Sequence, residues 1–279
     1  MNQKRVLTIQ DISCVGRCSL TVALPVISAT GIETSILPTA VLSTHTGGFT
    51  SYTYRDLTED IPSIVSHWKS LDLSFDAIYT GYLGSFEQLE LVSGIFDTFG
   101  TADNFIVVDP AMADNGRLYG GFSDDFPAGM AKLCAKADII VPNLTEAAFM
   151  LGEEYKETYD EAYIEHLLNK LHALGCKNVV LTGVSLEPGR LGIATFDGKT
   201  TSYYFENCID GYFHGTGDLY ASTLVAAMLI RGSLQEAAAI SVDFTVASIN
   251  ATLASDRERK FGVNFETCLP ALIRRLGLL

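Results

Sequence analysis

The chain has 279 residues, 48% of them hydrophobic, and 19 basic against 33 acidic residues give a formal charge of −14. That acidic excess excludes sequence-blind binding to a nucleic-acid backbone, and any anionic ligand needs a local site that overcomes it. The apolar content supports a packed core large enough to need no disulfide staples.

In chain order, "RVLTIQ" (Arg5–Gln10) reads as a first strand ending at Asp11, and apolar residues on a helical period follow from Ser19 to Ala29. "ETSILPT" is a strand and "IPSIVSHWKSL" a helix, with Pro62 tolerated in its first turn. "DAIYTG" predicts a strand, "EQLELVSGIFDTFG" a helix, and "FIVVDP" a buried strand ending at Asp109-Pro110. A helix near Pro127–Lys136 leads into the strand "ADIIVPN", helices near Thr145–Leu151 and Tyr159–Leu174 follow, and "NVVLTG" is a strand. "LGIATF" and "TSYYFE" flank Asp197-Gly198, a strong hairpin dipeptide. The remainder is helical: Asp218–Arg231, Leu234–Ala254 and Glu266–Leu276.

Strands alternating with helices predict an α/β fold, with a mainly parallel sheet covered by helices on both faces and a small antiparallel hairpin at one edge. No linker, repeat or low-complexity tract divides the chain, so residues 1–279 are expected to form one domain. The six cysteines include a C-x3-C pair, Cys14 and Cys18, with no second pair at zinc-finger spacing; reduced thiols of a cytoplasmic protein are expected. The N-terminal stretch has no signal-peptide core and no apolar run is long enough to span a bilayer, so neither secretion nor a membrane partner is expected. Ligands of such sheets bind beyond the carboxyl ends of the strands. Asp11, Gly81, Asp109, Asn143 and Gly183 are all expected at such ends.

The late stretch "FHGTGDLYAS" (Phe213–Ser222) carries the most chemistry. If Gly215-Thr216-Gly217 forms the turn into a helix, bare backbone N–H groups and the helix field favour a phosphate or a developing oxyanion. Asp218 at that end, held ionised by the helix field, can take a proton from a hydroxyl. The plainer alternative is a helix N-cap, a place aspartate favours. A dinucleotide fingerprint lacks its third glycine here, and no G-x4-G-K-[ST] occurs. These residues indicate an anion site without choosing its ligand.

The "GTGD" turn opening a late helix resembles the anion-hole and base motif of ribokinase-fold small-molecule kinases. "VLTIQD", "STHTGG" (Ser43–Gly48), "TGYLGSFEQ" (Thr80–Gln88), "VVDPAMADNGRLY" (Val107–Tyr119) and "IIVPNLTEAAFMLG" (Ile139–Gly152) follow in family order and narrow the resemblance to pyridoxal kinases. The resemblance implies a three-layer αβα, ribokinase-like domain acting as a homodimer. It also implies ATP-dependent phosphorylation of the hydroxymethyl group of a B6 vitamer, with Mg²⁺ on the triphosphate and a K⁺ requirement left open.

By the same resemblance Asp218 is the base, and Gly215, Thr216 and Gly217 hold the migrating phosphoryl group. Asn143 and Glu146 form the N-x-x-E pair acting on the Mg²⁺-phosphate assembly, although N-x-x-E before an apolar run is equally a capping box. Asp109 and Asp114 stand beside phosphates and cations, Glu146 joins them at the metal directly or through water, and Gly183 lies near the phosphates. Asp11, His45, Thr46 and Tyr82 face the acceptor.

The chain departs from the family pattern in three places. Asp11 stands where many members have serine, "SCVGRCS" replaces an aromatic and glycine pattern, and Gly183 stands where some carry lysine. Hydroxymethylpyrimidine kinase and a non-catalytic B6-binding protein remain as alternatives. A sugar kinase fits less well, because the mapped acceptor segments hold few carboxylates or amides.

Overall fold

The structure is a computed structural model, and it describes residues 3–256 and 258–279. The chain runs β1 (Arg5–Val15), α1 (Leu20–Ala29), β2 (Glu33–Thr44), β3 (Tyr54–Asp56), α2 (Ile61–Ser70), β4 (Ala77–Thr80), α3 (Phe86–Phe99) and β5 (Phe105–Val108). It continues through β6 (Ala113–Asp114), β7 (Arg117–Leu118), α4 (Phe126–Cys134), β8 (Ile139–Ile140), α5 (Leu144–Met150), α6 (Glu161–His172) and β9 (Asn178–Val184). The last elements are β10 (Arg190–Phe196), β11 (Thr201–Asn207), α7 (Thr216–Arg231), α8 (Leu234–Leu253) and α9 (Leu269–Arg275). They fall into two compact units, Met1–Ala77 with Ile209–Leu279, and Ile78–Cys208.

In the first unit β1 lies parallel to β2, and the short β3 pairs antiparallel on the far side of β2. Val6, Leu7 and Ile9 of β1 are fully buried, a continuous apolar run suited to a strand covered on both faces. Helix α7 is buried without a break from Leu219 to Ala227 and packs between α1 and α8. An all-round apolar helix of this kind belongs inside a core and shows no polar face.

In the second unit the strand order is β11-β10-β9-β8-β5-β4. β5, β8 and β9 are parallel neighbours, and β9, β10 and β11 form an antiparallel meander at the edge. Asp197 closes the β10–β11 loop, its carboxylate accepting from the N–H groups of Lys199 (3.0 Å) and Thr200 (2.8 Å). The mainly parallel sheet and its edge hairpin agree with the expectation from alternating elements. All six cysteines are free. Among the described residues no helix is long and apolar enough to cross a membrane.

Several boundaries differ from expectation. β1 does not end at Gln10 but continues to Val15, with a register shift between Gln10 and Ile12. A charge usually stops a buried strand; Asp11 does not, because Ser13 and Ser19 donate hydrogen bonds to its carboxylate. "ADIIVPN" contributes only Ile139–Ile140, since Pro142 has no N–H for a ladder and Asn143 is already the N-cap of α5. The β6–β7 hairpin, with Asn115 and Gly116 both at positive φ (48° and 71°), is an Asn-Gly turn signal that the sequence reading passed over.

Candidate active site

Helix α7 starts at Thr216, with Gly215 as its N-cap in the left-handed region (φ 76°, ψ 5°). A Cβ at Gly215 would fall 2.0 Å from the Arg17 carbonyl oxygen, so only glycine fits this turn. Gly215 has no side chain to cap the first turn, and Thr216 turns its hydroxyl back to the Phe213 carbonyl (3.1 Å). The first-turn N–H groups therefore point outward without a side-chain acceptor of their own, the arrangement an anion can complete.

Asp218 is the third residue of this helix, not its N-cap. Asp218 is half-buried, and the burial of its carboxyl pushes its pKa up to about 7, against an opposing hydrogen bond from the Ser19 N–H. The nearby Asp11 carboxylate raises it further. Burial thus outweighs the helix field, which by itself would keep the group ionised well below neutrality. A base whose pKa lies close to neutral is better matched to proton abstraction than an ordinary aspartate.

Asp11 lies on β1 and is 5% exposed. Burial raises its pKa, while the hydroxyls of Ser19 and Ser13 (3.1 Å) and the nearby His45 favour the charged form. His45 follows β2; its Nε2–H donates to the Lys260 carbonyl at 2.7 Å, which leaves Nδ1 as an acceptor. Its ring meets His214 at a centroid distance of 4.8 Å, and burial lowers the pKa of both imidazoles. Gly47 is squeezed beside this pair, since a Cβ there would lie 2.5 Å from His214 Cε1. Thr46 is exposed in the same turn. Burial drives the Cys18 thiol strongly toward the neutral form, and the nearby Asp218 and Asp11 carboxylates add to it. The first unit therefore brings Asp11, Asp218 and the Gly215–Gly217 turn together, with His45 beside them.

The second unit has its own acidic group. Asn143 caps α5, its Oδ1 accepting from the N–H groups of Thr145 (2.8 Å) and Glu146 (2.9 Å). Glu146 completes the capping box through the Asn143 N–H (2.9 Å) and also accepts from Met112 N–H at 3.1 Å. Asn143 Nδ2 donates to the Ala113 carbonyl (2.8 Å), so the pair fastens the start of α5 to the β6 segment. Burial pushes the Glu146 carboxyl up, helped by Asp114 and opposed by three backbone donors.

Asp109, directly after β5, is buried; its backbone N–H donates to the Thr80 carbonyl (2.9 Å), and both it and Glu146 act on the Cys134 thiol. Asp114 sits in the β6–β7 hairpin with its own neighbour Asn115 on both carboxylate oxygens. Tyr82 continues an aromatic row through Phe122 (5.6 Å) to Phe126. Gly183 lies within β9 rather than beyond it, at φ 74°, and its carbonyl accepts from the Tyr159 hydroxyl (3.3 Å). That left-handed backbone disfavours the lysine some relatives of this pattern carry.

Among the described residues no cluster of three or more His, Cys, Asp or Glu is arranged as a metal cage. The oxygen donors Asp109, Asp114 and Glu146 suit a hard cation that keeps most of its water and is carried in by phosphates. Both Glu146 oxygens are already engaged by backbone donors, which favours contact through water over direct ligation. The sequence reading missed Ser19, Cys18 and His214. Ser19 precedes an apolar helix and looks like a cap, whereas its place near Asp11 and Asp218 arises only when distant segments meet.

A family model described as phosphomethylpyrimidine kinase matches residues 24–262. A pyridoxine kinase of Bacillus subtilis (strain 168) is 27% identical over 179 residues, 63% of this chain and 65% of that one. The chain therefore spans just under two thirds of that relative's length. Solved structures are more completely matched. A Bacteroides thetaiotaomicron VPI-5482 protein, provisionally described as a phosphomethylpyrimidine kinase and crystallised with pyridoxal, is 35% identical, with a TM-score of 0.91 over 97% of this chain and 96% of that one. Pyridoxal kinase from Lactobacillus plantarum is 31% identical, with a TM-score of 0.91 over 98% of each chain.

Proposed function

We propose that this chain, which belongs to the phosphomethylpyrimidine kinase family, transfers the terminal phosphoryl group of ATP to the 5′-hydroxymethyl group of a vitamin B6 vitamer. The observation that carries this reading is the uncapped Gly215 turn with Asp218, a carboxyl of pKa about 7, in its first turn. Pyridoxal in the similar Bacteroides structure supports the choice of acceptor.

Asp218 accepts the hydroxyl proton as the new O–P bond forms. The N–H groups of Gly215, Thr216 and Gly217 take up the negative charge of the migrating group; positioning and electrostatics supply most of the rate in such loose transition states. Asp11 pairs with a protonated ring nitrogen or amine of the acceptor. The neutral His45 and the exposed Thr46 line the acceptor side, and Tyr82 offers an aromatic face to the ring. Asn143, Glu146, Asp109 and Asp114 would hold the Mg²⁺-phosphate assembly, and Gly183 would present backbone near the phosphates. Mg²⁺, when bound, neutralises the triphosphate and polarises the phosphoryl group. The whole chain, 1–279, works as one kinase domain, in a cytoplasmic homodimer.

Hydroxymethylpyrimidine phosphorylation is the second reading, favoured by the description of the matching family. ADP release measured with pyridoxal, pyridoxine, pyridoxamine, hydroxymethylpyrimidine and ribose separates the two. The highest kcat/KM is expected for a B6 vitamer. A higher value for the pyrimidine moves the chain to the second reading, and no turnover with any acceptor overturns both.

A further inference from the structure

Two consecutive carbonyls near the C-terminus serve two different loops of the candidate site. The Lys260 carbonyl accepts from His45 Nε2–H at 2.7 Å, and the Phe261 carbonyl accepts from the Arg17 N–H at 2.9 Å. Both belong to one short 3₁₀ turn, Arg259–Phe261. The Arg17 carbonyl oxygen that abuts Gly215 also abuts the residue after this turn, since a Cβ at Gly262 would fall 2.6 Å from it. The Arg17 side chain is fastened as well, its Nε donating to Glu266 Oε1 at 2.6 Å with only 13% of the side chain exposed. Ring contacts reach the same loops: Phe261 meets Phe49 of the His45 turn at 5.3 Å, and Arg259 lies over Phe213, 5.2 Å from its centroid. The turn has a fixed footing, because Val263 and Phe265 are buried and the Asn264 N–H donates to Thr252 Oγ1 of α8 at 2.8 Å.

We propose that Arg259–Gly262 is a positioning clasp that sets the Gly215 turn and His45 against each other, through the Arg17 backbone and the Lys260 and Phe261 carbonyls. This rests on the reading of the Gly215 turn as the phosphoryl site and of His45 as an acceptor contact. A carbonyl only accepts, so the Lys260 carbonyl holds His45 as the Nε2–H tautomer and leaves Nδ1 unprotonated. The Phe261 carbonyl pins the Arg17 backbone, whose own carbonyl is the wall of the glycine turn. The phosphoryl side and the acceptor side therefore share one support. A shift of about 1 Å in that support reaches both reacting partners together, and misplacement on this scale costs about 10²-fold in rate.

The test uses the full chain labelled with ¹⁵N, with NMR beside steady-state kinetics and thermal unfolding. In the wild type His45 is expected as the Nε2–H tautomer, with an Arg17 amide that exchanges slowly with solvent. Gly262→Ala drives a Cβ into the Arg17 carbonyl at φ 86° and displaces the clasp. The His45 tautomer signature and the Arg17 protection are then expected to be lost together. With them kcat falls about 10²-fold and the vitamer KM rises severalfold. Gly232→Ala is the control, a left-handed glycine (φ 73°) at the C-terminal end of α7 whose new Cβ meets no atom within 4 Å. It lowers Tm through backbone strain and keeps kcat within about twofold of wild type.

A wild-type His45 in the Nδ1–H form, or an Arg17 amide that exchanges as fast as an open loop, overturns the proposal. Both readings need no variant, so they decide the matter even where Gly262→Ala does not fold. The proposal also falls if Gly262→Ala keeps wild-type kcat and KM, or if kcat drops while the His45 signature stays unmoved. Equal loss of turnover in Gly232→Ala for the same drop in Tm overturns it too. If the wild-type chain turns over no acceptor, the kinase reading fails by itself, and the tautomer and exchange data still decide whether the clasp holds both loops.

Discussion

Two helix starts in this chain follow one pattern and come out differently. Both α5 and α7 carry an acid three residues after the N-cap, Glu146 after Asn143 and Asp218 after Gly215. Glu146 folds back on its own N-cap N–H and reaches the β6 segment, so both of its oxygens already carry backbone donors. Asp218 has no side chain at its N-cap to work with, and its one backbone donor comes from Ser19, nearly 200 residues earlier in the chain. Burial raises the pKa of both carboxyls. The difference lies in what each helix end leaves unused. A side-chain cap occupies the first-turn donors of its helix, and an end begun by glycine keeps its donors free.

The contrast breaks most sharply at Asp218. Asp218→Asn keeps the shape and loses the proton acceptor, so kcat is expected to fall by about 10³-fold while calorimetric ATP affinity stays within a factor of a few. Turnover near wild type would remove Asp218 from the role of base. Next in size is the turn itself. Gly215→Ala puts a Cβ against the Arg17 carbonyl at positive φ and should cost about 3 kcal/mol or more in urea unfolding. Gly217→Ala meets no atom within 4 Å and should leave stability within about 0.5 kcal/mol. Equal costs for the two would mean that the turn does not need its left-handed glycine.

The pH dependence sharpens the comparison further. With a folded pKa near 7, Asp218 must lose its proton before it can act, so log kcat/KM should climb with unit slope below about pH 7 and level off above it. The stability sign is opposite. Between the unfolded value of 3.8 and the folded value of about 7, the unfolded chain sheds this proton first, so the fold loses stability as pH rises through that window. Asp218→Asn should therefore be more stable than wild type at pH 8 and no more stable near pH 4, by thermal unfolding at both. The smallest effect belongs to the closed helix end. Asn143→Ala removes the cap of α5 and should cost about 1–2 kcal/mol, with the loss confined to stability if the pair serves the fold alone. A larger loss in kcat than in stability would give Asn143 a part in the phosphate assembly.

Much of this was legible in the residues. The alternation of strands and helices, the hairpin at Asp197-Gly198 and the bare turn before Asp218 follow from local rules, because glycine, β-branched runs and helical periodicity act within a few neighbours. The Asn115-Gly116 turn was equally readable and was overlooked. Other features had no local signal. Asp11 looked like the end of β1, and it lies inside the strand because Ser13 and Ser19 solvate it there. Asp218 looked like an ordinary ionised aspartate, and packing from other segments raised its pKa to about 7.

By itself, then, the sequence determined the fold class, the kind of turn that opens α7 and the residue types able to bind an anion and take a proton. Only the tertiary structure decided which of two similar acids closes a capping box, how hard each carboxyl holds its proton and that Asp11 comes to lie near Asp218. The physical reason is range. Backbone propensities are set by adjacent residues, whereas desolvation and hydrogen bonds between distant segments exist only once the chain has closed on itself.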